Sequence, residues 1–265
     1  MRRFAFALAM LVAISPLSQA NDTRDDGSFS WFLNAGAGRF EGDFGLEEDT
    51  TVDVLNFSAR WYLPRGEVQL SVPYLRIDGP ADIVVIGGQP VAVPGVGDSR
   101  TESGLGDLVI QGDYYLRRGS ESTPWVIGLL RFKAPTGDED RGLGTGAADV
   151  EAGIGLIQRH GPVNWLADVG YTWVGSSSEF DLRDVLRLGA GVAMSFGSND
   201  RHNSYVYVDN RSNMVKGSED RRSLALGLGT SLDRAQRVRV SAAVFIGLSD
   251  TAEDFGFYLT LGRRI

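Results

Sequence analysis

The stretch Leu108-Val109-Ile110-Gln111-Gly112-Asp113-Tyr114-Tyr115-Leu116 alternates residue by residue. Leu108, Ile110, Gly112, Tyr114 and Leu116 take one parity; Gln111 and Asp113, with Asp107 just ahead of them, take the other. Side chains of an extended strand point alternately to its two faces, so this is a strand with one apolar and one polar face. The pattern recurs. Val150, Ala152, Ile154 and Leu156 oppose Asp149, Glu151 and Gly153; Leu186, Leu188, Ala190, Val192 and Met194 oppose Arg187, Gly189 and Gly191; Val238, Val240, Ala242, Val244, Ile246 and Leu248 oppose Arg237 and Arg239. With the turn residues between them, these segments predict about twelve strands, at 28–40, 51–63, 66–77, 106–117, 124–134, 147–159, 163–174, 185–196, 202–209, 222–231, 237–248 and 254–264. In 202–209 the parity is ambiguous, because Tyr205 and Tyr207 compete with Val206 and Val208 for the apolar face.

Period two does not say whether the apolar face meets a core or lipid; connection lengths do. Every second connection is short: Pro64-Arg65, Arg118 to Thr123, His160 to Pro162, Gly197 to Arg201, and Asp233 to Gln236. The others are mostly longer and rich in acid or glycine, above all Glu41 to Thr50 and Asp78 to Leu105. An even strand count with strictly alternating short and long connections is the plan of an outer-membrane barrel. A soluble sandwich has no reason to keep it. The expected fold is therefore all-β, an antiparallel transmembrane β-barrel of about twelve strands with both termini periplasmic. Aromatic residues fit the interfacial girdles of such a barrel. Phe29, Trp31, Trp61, Tyr115, Trp125 and Trp165 gather near the short-turn ends, and Phe40, Phe132, Tyr171, Trp173 and Phe255 near the other ends. The last strand alternates to the chain end but closes on Ile265, where such strands commonly carry an aromatic residue.

Composition removes other classes. The chain has 265 residues, no cysteine and two histidines, which excludes a disulfide scaffold or cysteine-held metal centre and argues against a histidine zinc site. Twenty-six basic against 34 acidic residues give a net charge of -8, the wrong sign for a nucleic-acid surface. Met1-Arg2-Arg3, the apolar run Phe4 to Ile14 and Ser18-Gln19-Ala20 form the pattern of a secretory signal peptide spanning 1–20, leaving 21–265 as the barrel domain. Cleavage removes two arginines and no acid, so 24 bases against 34 acids leave -10.

Three segments, Gly104-Leu105-Gly106-Asp107-Leu108, Ala134-Pro135-Thr136-Gly137-Asp138 and Gly142-Leu143-Gly144-Thr145-Gly146, in this order and spacing, resemble a family of outer-membrane barrel proteins named for the MetA pathway of phenol degradation. The likeness runs from about Gly104 to Trp173, more loosely to the C-terminus. It implies a barrel and the passage of small organic molecules, aromatic ones among them.

Strand direction places candidate chemistry on the inner wall. Asp107 falls beside Arg131 and Lys133, which fall beside Asp149 and Glu151: acid, base and acid on three adjacent strands near the long-loop mouth. With Asp113, Asp168 and Arg187 these are the candidate lumen or constriction residues, and they read either as a field that orients polar solutes or as a cross-strand ion ladder. Arg60, Arg237 and Arg239 are further inward candidates. The runs Ile83-Val84-Val85-Ile86 and Val91-Ala92-Val93 around Gly87-Gly88 read as a hairpin extending two strands or as an apolar lid. Asp138, Asp140 and Gly142 have the spacing of a calcium loop, but the position that requires glutamate is Asp149, so no metal is expected. The expected function is passive passage of small organic solutes across the bacterial outer membrane, with no catalytic residues and no cofactor. Expected partners are outer-membrane lipids, the secretion and barrel-assembly machinery, and the solutes; nucleic acid is not one. The alternatives are a structural or adhesive barrel and, behind it, a lipid-modifying hydrolase, which would need His160 or His202 as base.

Overall fold

The computed structural model describes residues 30–46, 48–80, 83–86, 89–92, 100–176, 182–215 and 218–265; the expected signal peptide and Phe29 lie outside them. The strands are β1 (Ser30–Gly42), β2 (Thr50–Leu63), β3 (Gly66–Gly79), β4 (Ile83–Ile86), β5 (Gln89–Ala92), β6 (Arg100–Leu105), β7 (Leu108–Arg117), β8 (Trp125–Ala134), β9 (Asp149–His160), β10 (Val163–Trp173), β11 (Val185–Phe196), β12 (His202–Arg211), β13 (Arg221–Ser231), β14 (Val238–Gly247) and β15 (Phe255–Arg264). Each pairs antiparallel with its neighbour, β15 returns to β1, and β6 and β7 share one place beside β3, so twelve wall positions close on themselves. β4 and β5, between β3 and β6 in the chain, pair with each other as a separate two-stranded hairpin, while Gly87, Gly88 and Val93 of the expected apolar runs lie outside the described residues. The β1 start, the β15 end and the short connections lie at one end of the barrel, here the turn end; the longer connections lie at the loop end.

The outward parity is the apolar one. Leu55, Phe57, Leu130, Ile154, Val169, Leu188, Val206, Leu228 and Leu259 are all exposed, a surface that only hydrocarbon makes favourable. Trp31 stacks on Trp61, its direct partner across β1 and β2, at 5.4 Å near the turn end. Tyr171 packs edge-on against Trp173 at 5.2 Å near the loop end. Trp165 and Trp173 bound β10; eight residues at ~3.4 Å each make ~27 Å of strand, or ~20 Å along the membrane normal at a tilt of ~40°. That matches the apolar band of a membrane barrel once the rings themselves are added.

Several expectations are corrected. Phe40 and Tyr115 point inward and are buried, so neither belongs to a girdle, and Trp125 packs edge-on against Tyr115. Tyr205 and Tyr207 take the inward parity and leave Val206 and Val208 outside. Arg237 is not in the lumen: it precedes β14, is exposed, and pairs with Asp233 of its own turn at 3.0 Å. The strand expected over 106–117 is broken. Tyr74 opposes Leu105 and Ser71 opposes Val109, so Val72 and Pro73 face three residues, 106 to 108. Proline brings no N–H to the ladder, and a bulge at Gly106-Asp107 accommodates it.

Candidate functional site

The bulge frees Asp107 from the sheet and turns its carboxylate into the lumen. Oδ2 of Asp107 lies 2.9 Å from Lys133 Nζ, which is 3.1 Å from Asp149 Oδ2. The expected acid-base-acid arrangement across β7, β8 and β9 is thus formed, and all three side chains are buried. Its other contacts reach connections. Lys133 Nζ donates to Thr145 Oγ1 at 2.6 Å, Gly137 N donates to Asp107 Oδ1 at 2.9 Å, and Gly175 N donates to Asp149 Oδ1 at 3.0 Å. Thr136 repairs the ladder at the bulge, accepting from Leu108 N at 2.9 Å and donating to Gly106 O at 3.1 Å. The triad therefore pins the connection 135–148 into the loop-end mouth.

The three glycine-rich motifs meet here. A Cβ on Gly104 would lie 2.7 Å from Leu143, one on Gly144 2.6 Å from Asp107, and one on Gly137 2.3 Å from the Leu143 carbonyl. Leu143 is buried in a cluster with Phe40, Val52, Val54, Leu75, Ile77 and Phe245 of the wall and Phe44 of the β1–β2 connection. The connection 248–254 is held likewise, with Glu253 paired to Arg221 and close to Ser223. An apolar layer thus fills the loop-end lumen, over ion pairs on one wall.

Below it runs the second ladder. Arg131 pairs with Glu151, its direct cross-strand partner, and donates from Nε and Nη2 to the Gln111 amide oxygen at 3.0 and 2.8 Å. Arg187 reaches Glu151 at 3.2 Å and Asp168 at 2.7 Å, and Tyr207 donates to Asp168. Asp113 receives the Gln111 amide at 3.1 Å. All eight expected residues are therefore inward, divided between two networks: Asp107, Lys133 and Asp149 clamp connections, and Asp113, Arg131, Glu151, Asp168 and Arg187 line the middle of the β7–β11 wall.

A third feature lies where no site was expected. Near the turn end, Tyr115, Ile127, Ile157, Trp125 and Leu166 fill the β7–β10 side, and the opposite side holds a chamber of about 130 Å³. Arg60, Asn56, Asn203, Arg239, Tyr205 and Thr260 are among its walls. Arg60, paired to Glu67 at 3.1 Å, and Arg239, over the Phe32 ring at 5.2 Å, are inward as expected.

The chain matches the family model "Putative MetA-pathway of phenol degradation" over residues 17–265, and it belongs to that family. Among solved structures it resembles the COG4313 outer membrane channel from Pseudomonas putida F1, at 12% identity and a TM-score of 0.71, covering 91% of this chain and 99% of that one. It also resembles the NanC porin, at 8% identity and a TM-score of 0.56 over 87% and 98% of the two chains. The KdgM porin gives 7% and 0.54 over 88% and 98%. These likenesses establish the fold: a closed twelve-position barrel of the outer-membrane type.

Proposed function

We propose that this family member is an outer-membrane channel for passive passage of small organic solutes, aromatic ones among them, matured by cleavage after Ala20 and oriented with both termini in the periplasm. The observation that carries the reading is the division of the lumen: an apolar layer at the loop end, a charged ladder on one wall below it, and a polar chamber near the turn end. A barrel of twelve wall positions lies between eight-stranded ones, filled by their own side chains, and the porins of sixteen or more. Here connections supply part of the filling, and a connection can withdraw where a wall side chain cannot. In the reading proposed, 135–148 lifts away, a solute passes the layer of Phe44 and Leu143, and the ladder of Arg131, Glu151, Arg187 and Asp168 sets its orientation and charge preference. Acidic residues of the loop end, Asp138 and Asp140 among them, then face the exterior. The other two readings draw less support. A hydrolase would rely on His160 or His202; both stand at the turn end, and His202 has Nδ1 2.9 Å from Thr230 Oγ1 and its ring stacked on Phe196. A structural or adhesive barrel leaves the chamber without a role.

Reconstitution into liposomes with a panel of aromatic acids, phenols, sugars and ions tests the channel. Osmotic swelling with small organic solutes is expected. No permeation by any member of the panel would sink the proposal.

A further inference from the structure

We infer that the turn-end chamber is a binding site for a small one-ring carboxylate that bears a hydroxyl group. Four of the residues that line it each carry a buried side-chain atom with hydrogen-bonding capacity unspent: Tyr205 Oη, Thr260 Oγ1, Asn56 Oδ1 and Arg201 Nε. Tyr205 is only 8% exposed and Asn56 4%. Buried polar atoms without partners are uncommon in native proteins, and several around one cavity call for an occupant. Their positions are ordered by the register. Asn56 and Thr260 flank Gly36 in one cross-strand row, Tyr205 belongs to the neighbouring inward row through Gly227, Ala243, Tyr258 and Gly38, and Arg201 stands at the turn end with Nη2 donating to the Ser231 carbonyl at 3.1 Å.

Charge selects an anion. Arg60, Arg201 and Arg239 line the chamber; against them stand Asp200 and, paired to Arg60, Glu67, so three positive and two negative charges leave one positive. A guanidinium matches a carboxylate in plane and donor spacing. Shape selects one ring. A volume of about 130 Å³ compares with the ~150 Å³ that accommodates benzene. Tyr205 lies over Gly227 and Tyr258 over Gly36, where a Cβ would come within 2.1 Å of either ring system. The two rings therefore lie against the wall, leaving room between them. The carboxylate is placed toward Arg201 and accepts from the Tyr205 hydroxyl, the ring lies beside Tyr205 and Tyr258, and the ligand hydroxyl donates to Asn56 Oδ1 while accepting from Thr260. Water alone would satisfy the neutral groups and leave the charge unanswered.

The inference rests on the channel reading for the route by which a solute arrives, so binding is tested apart from passage. Calorimetric titration of the full barrel in detergent uses 4-hydroxybenzoate, benzoate and 4-hydroxybenzyl alcohol. Saturable binding of the first is expected, with benzoate about tenfold weaker for one lost hydrogen bond and the alcohol weaker still for the lost charge. Tyr205→Phe keeps the ring over Gly227 and is expected to bind about tenfold more weakly; Arg201→Gln should abolish the preference for the acid over the alcohol. Both are compared at matched folded fraction, read from heat-modifiable electrophoretic mobility. Equal binding of all three probes, or variants that bind like the parent, would overturn the site. Permeation in liposomes without saturable binding removes the site and leaves the channel; saturable, variant-sensitive binding without permeation keeps the site and removes the channel.

Discussion

Lys133→Met tests whether the buried triad is a clamp or an inert part of the wall. Lys133 is 4% exposed and contacts Asp107 at 2.9 Å, Asp149 at 3.1 Å and Thr145 at 2.6 Å. Methionine keeps most of the volume and removes all three contacts, leaving two buried carboxylates with no cation between them. Removing one partner of a buried pair costs about 3–5 kcal/mol. The pairs hold connections as well as strands, through Thr145, Gly137 and Gly175, and withdrawing 135–148 rehydrates the carboxylates without breaking the barrel. The cost is therefore expected to fall mainly on docking of that connection. At 1.4 kcal/mol per decade it shifts the docked-to-withdrawn ratio by about two to three and a half decades. Two measurements read this: single-channel current in planar bilayers should show a larger or longer-lived open state, and trypsin should cut faster after Arg141, which is held by Glu102 at 2.8 Å. Adding Asp107→Asn and Asp149→Asn keeps the oxygens that accept from Gly137 and Gly175 and removes the uncompensated charge, so it should restore much of the closed behaviour. Conductance and cleavage at Arg141 both unchanged in Lys133→Met would refute the clamp.

Three further outcomes follow from the geometry. Leu130 is 60% exposed on the middle of β8, and Leu130→Arg should lower folding stability in lipid vesicles by about 2–4 kcal/mol; no loss in a denaturant titration would show that this face does not meet hydrocarbon. Gly36→Val puts a Cβ 2.1 Å from the Tyr258 hydroxyl, which should swing that ring into the chamber and reduce probe binding at a stability loss of about 1–3 kcal/mol; unchanged binding would contradict the placement of the ring. Asp233 accepts from Arg237 N at 2.7 Å and Val238 N at 2.9 Å in the β13–β14 turn, and the Val238 backbone donor, with Arg237, holds its carboxyl below the ordinary aspartate range. A depressed carboxylate contributes its stability above the unfolded pKa and loses it as pH falls through the folded one. Slowed hydrogen exchange at Arg237 and Val238, relative to Asp233→Ala, should therefore persist through neutral and mildly acidic pH and disappear only below the usual carboxylate range; loss already near neutrality would be the wrong sign.

The barrel was legible because its two determinants are local. Parity within a segment and connection length between segments need no knowledge of neighbours, so the wall and even the triad of Asp107, Lys133 and Asp149 follow from strand direction. What the reading missed depends on neighbours. Tyr205 and Tyr207 face inward because glycine stands opposite: Gly227 beside Tyr205 on β13 and Gly191 beside Tyr207 on β11. Nothing within 202–209 carries that information. Asp107 was placed at the head of a strand because the cause of the bulge, Pro73, lies on the strand across from it. Arg237 shares the parity of Arg239, but Asp233 four residues before it captures the guanidinium in the turn. The chamber escaped notice because its most informative residues, Asn56, Tyr205 and Thr260, are uncharged, lie on three strands, and converge only through register. The available signal was small polar residues on the inward parity of several strands, where barrels elsewhere place charge.

These missed features share a physical logic that bears on passage. A lumen of this width cannot hold a full set of wall side chains and a solute together. Glycine on one strand lets a neighbouring aromatic ring lie along the wall, as Tyr258 does over Gly36 and Tyr205 over Gly227, and so clears space at the turn end. At the loop end the same device works in reverse: Gly104, Gly137 and Gly144 let a connection approach closely enough for Leu143 to fill the mouth. Glycine thus opens one end of the lumen and closes the other. The difference lies in what approaches it, a wall side chain that stays or a connection held by the buried triad of Asp107, Lys133 and Asp149. In the reading proposed, a solute detained in the chamber meets fixed groups, and a solute at the mouth meets a connection whose docking the Lys133 charge helps to set. Selectivity and opening are then controlled by separate residues, and a variant that alters one, such as Tyr205→Phe, should leave the other unchanged.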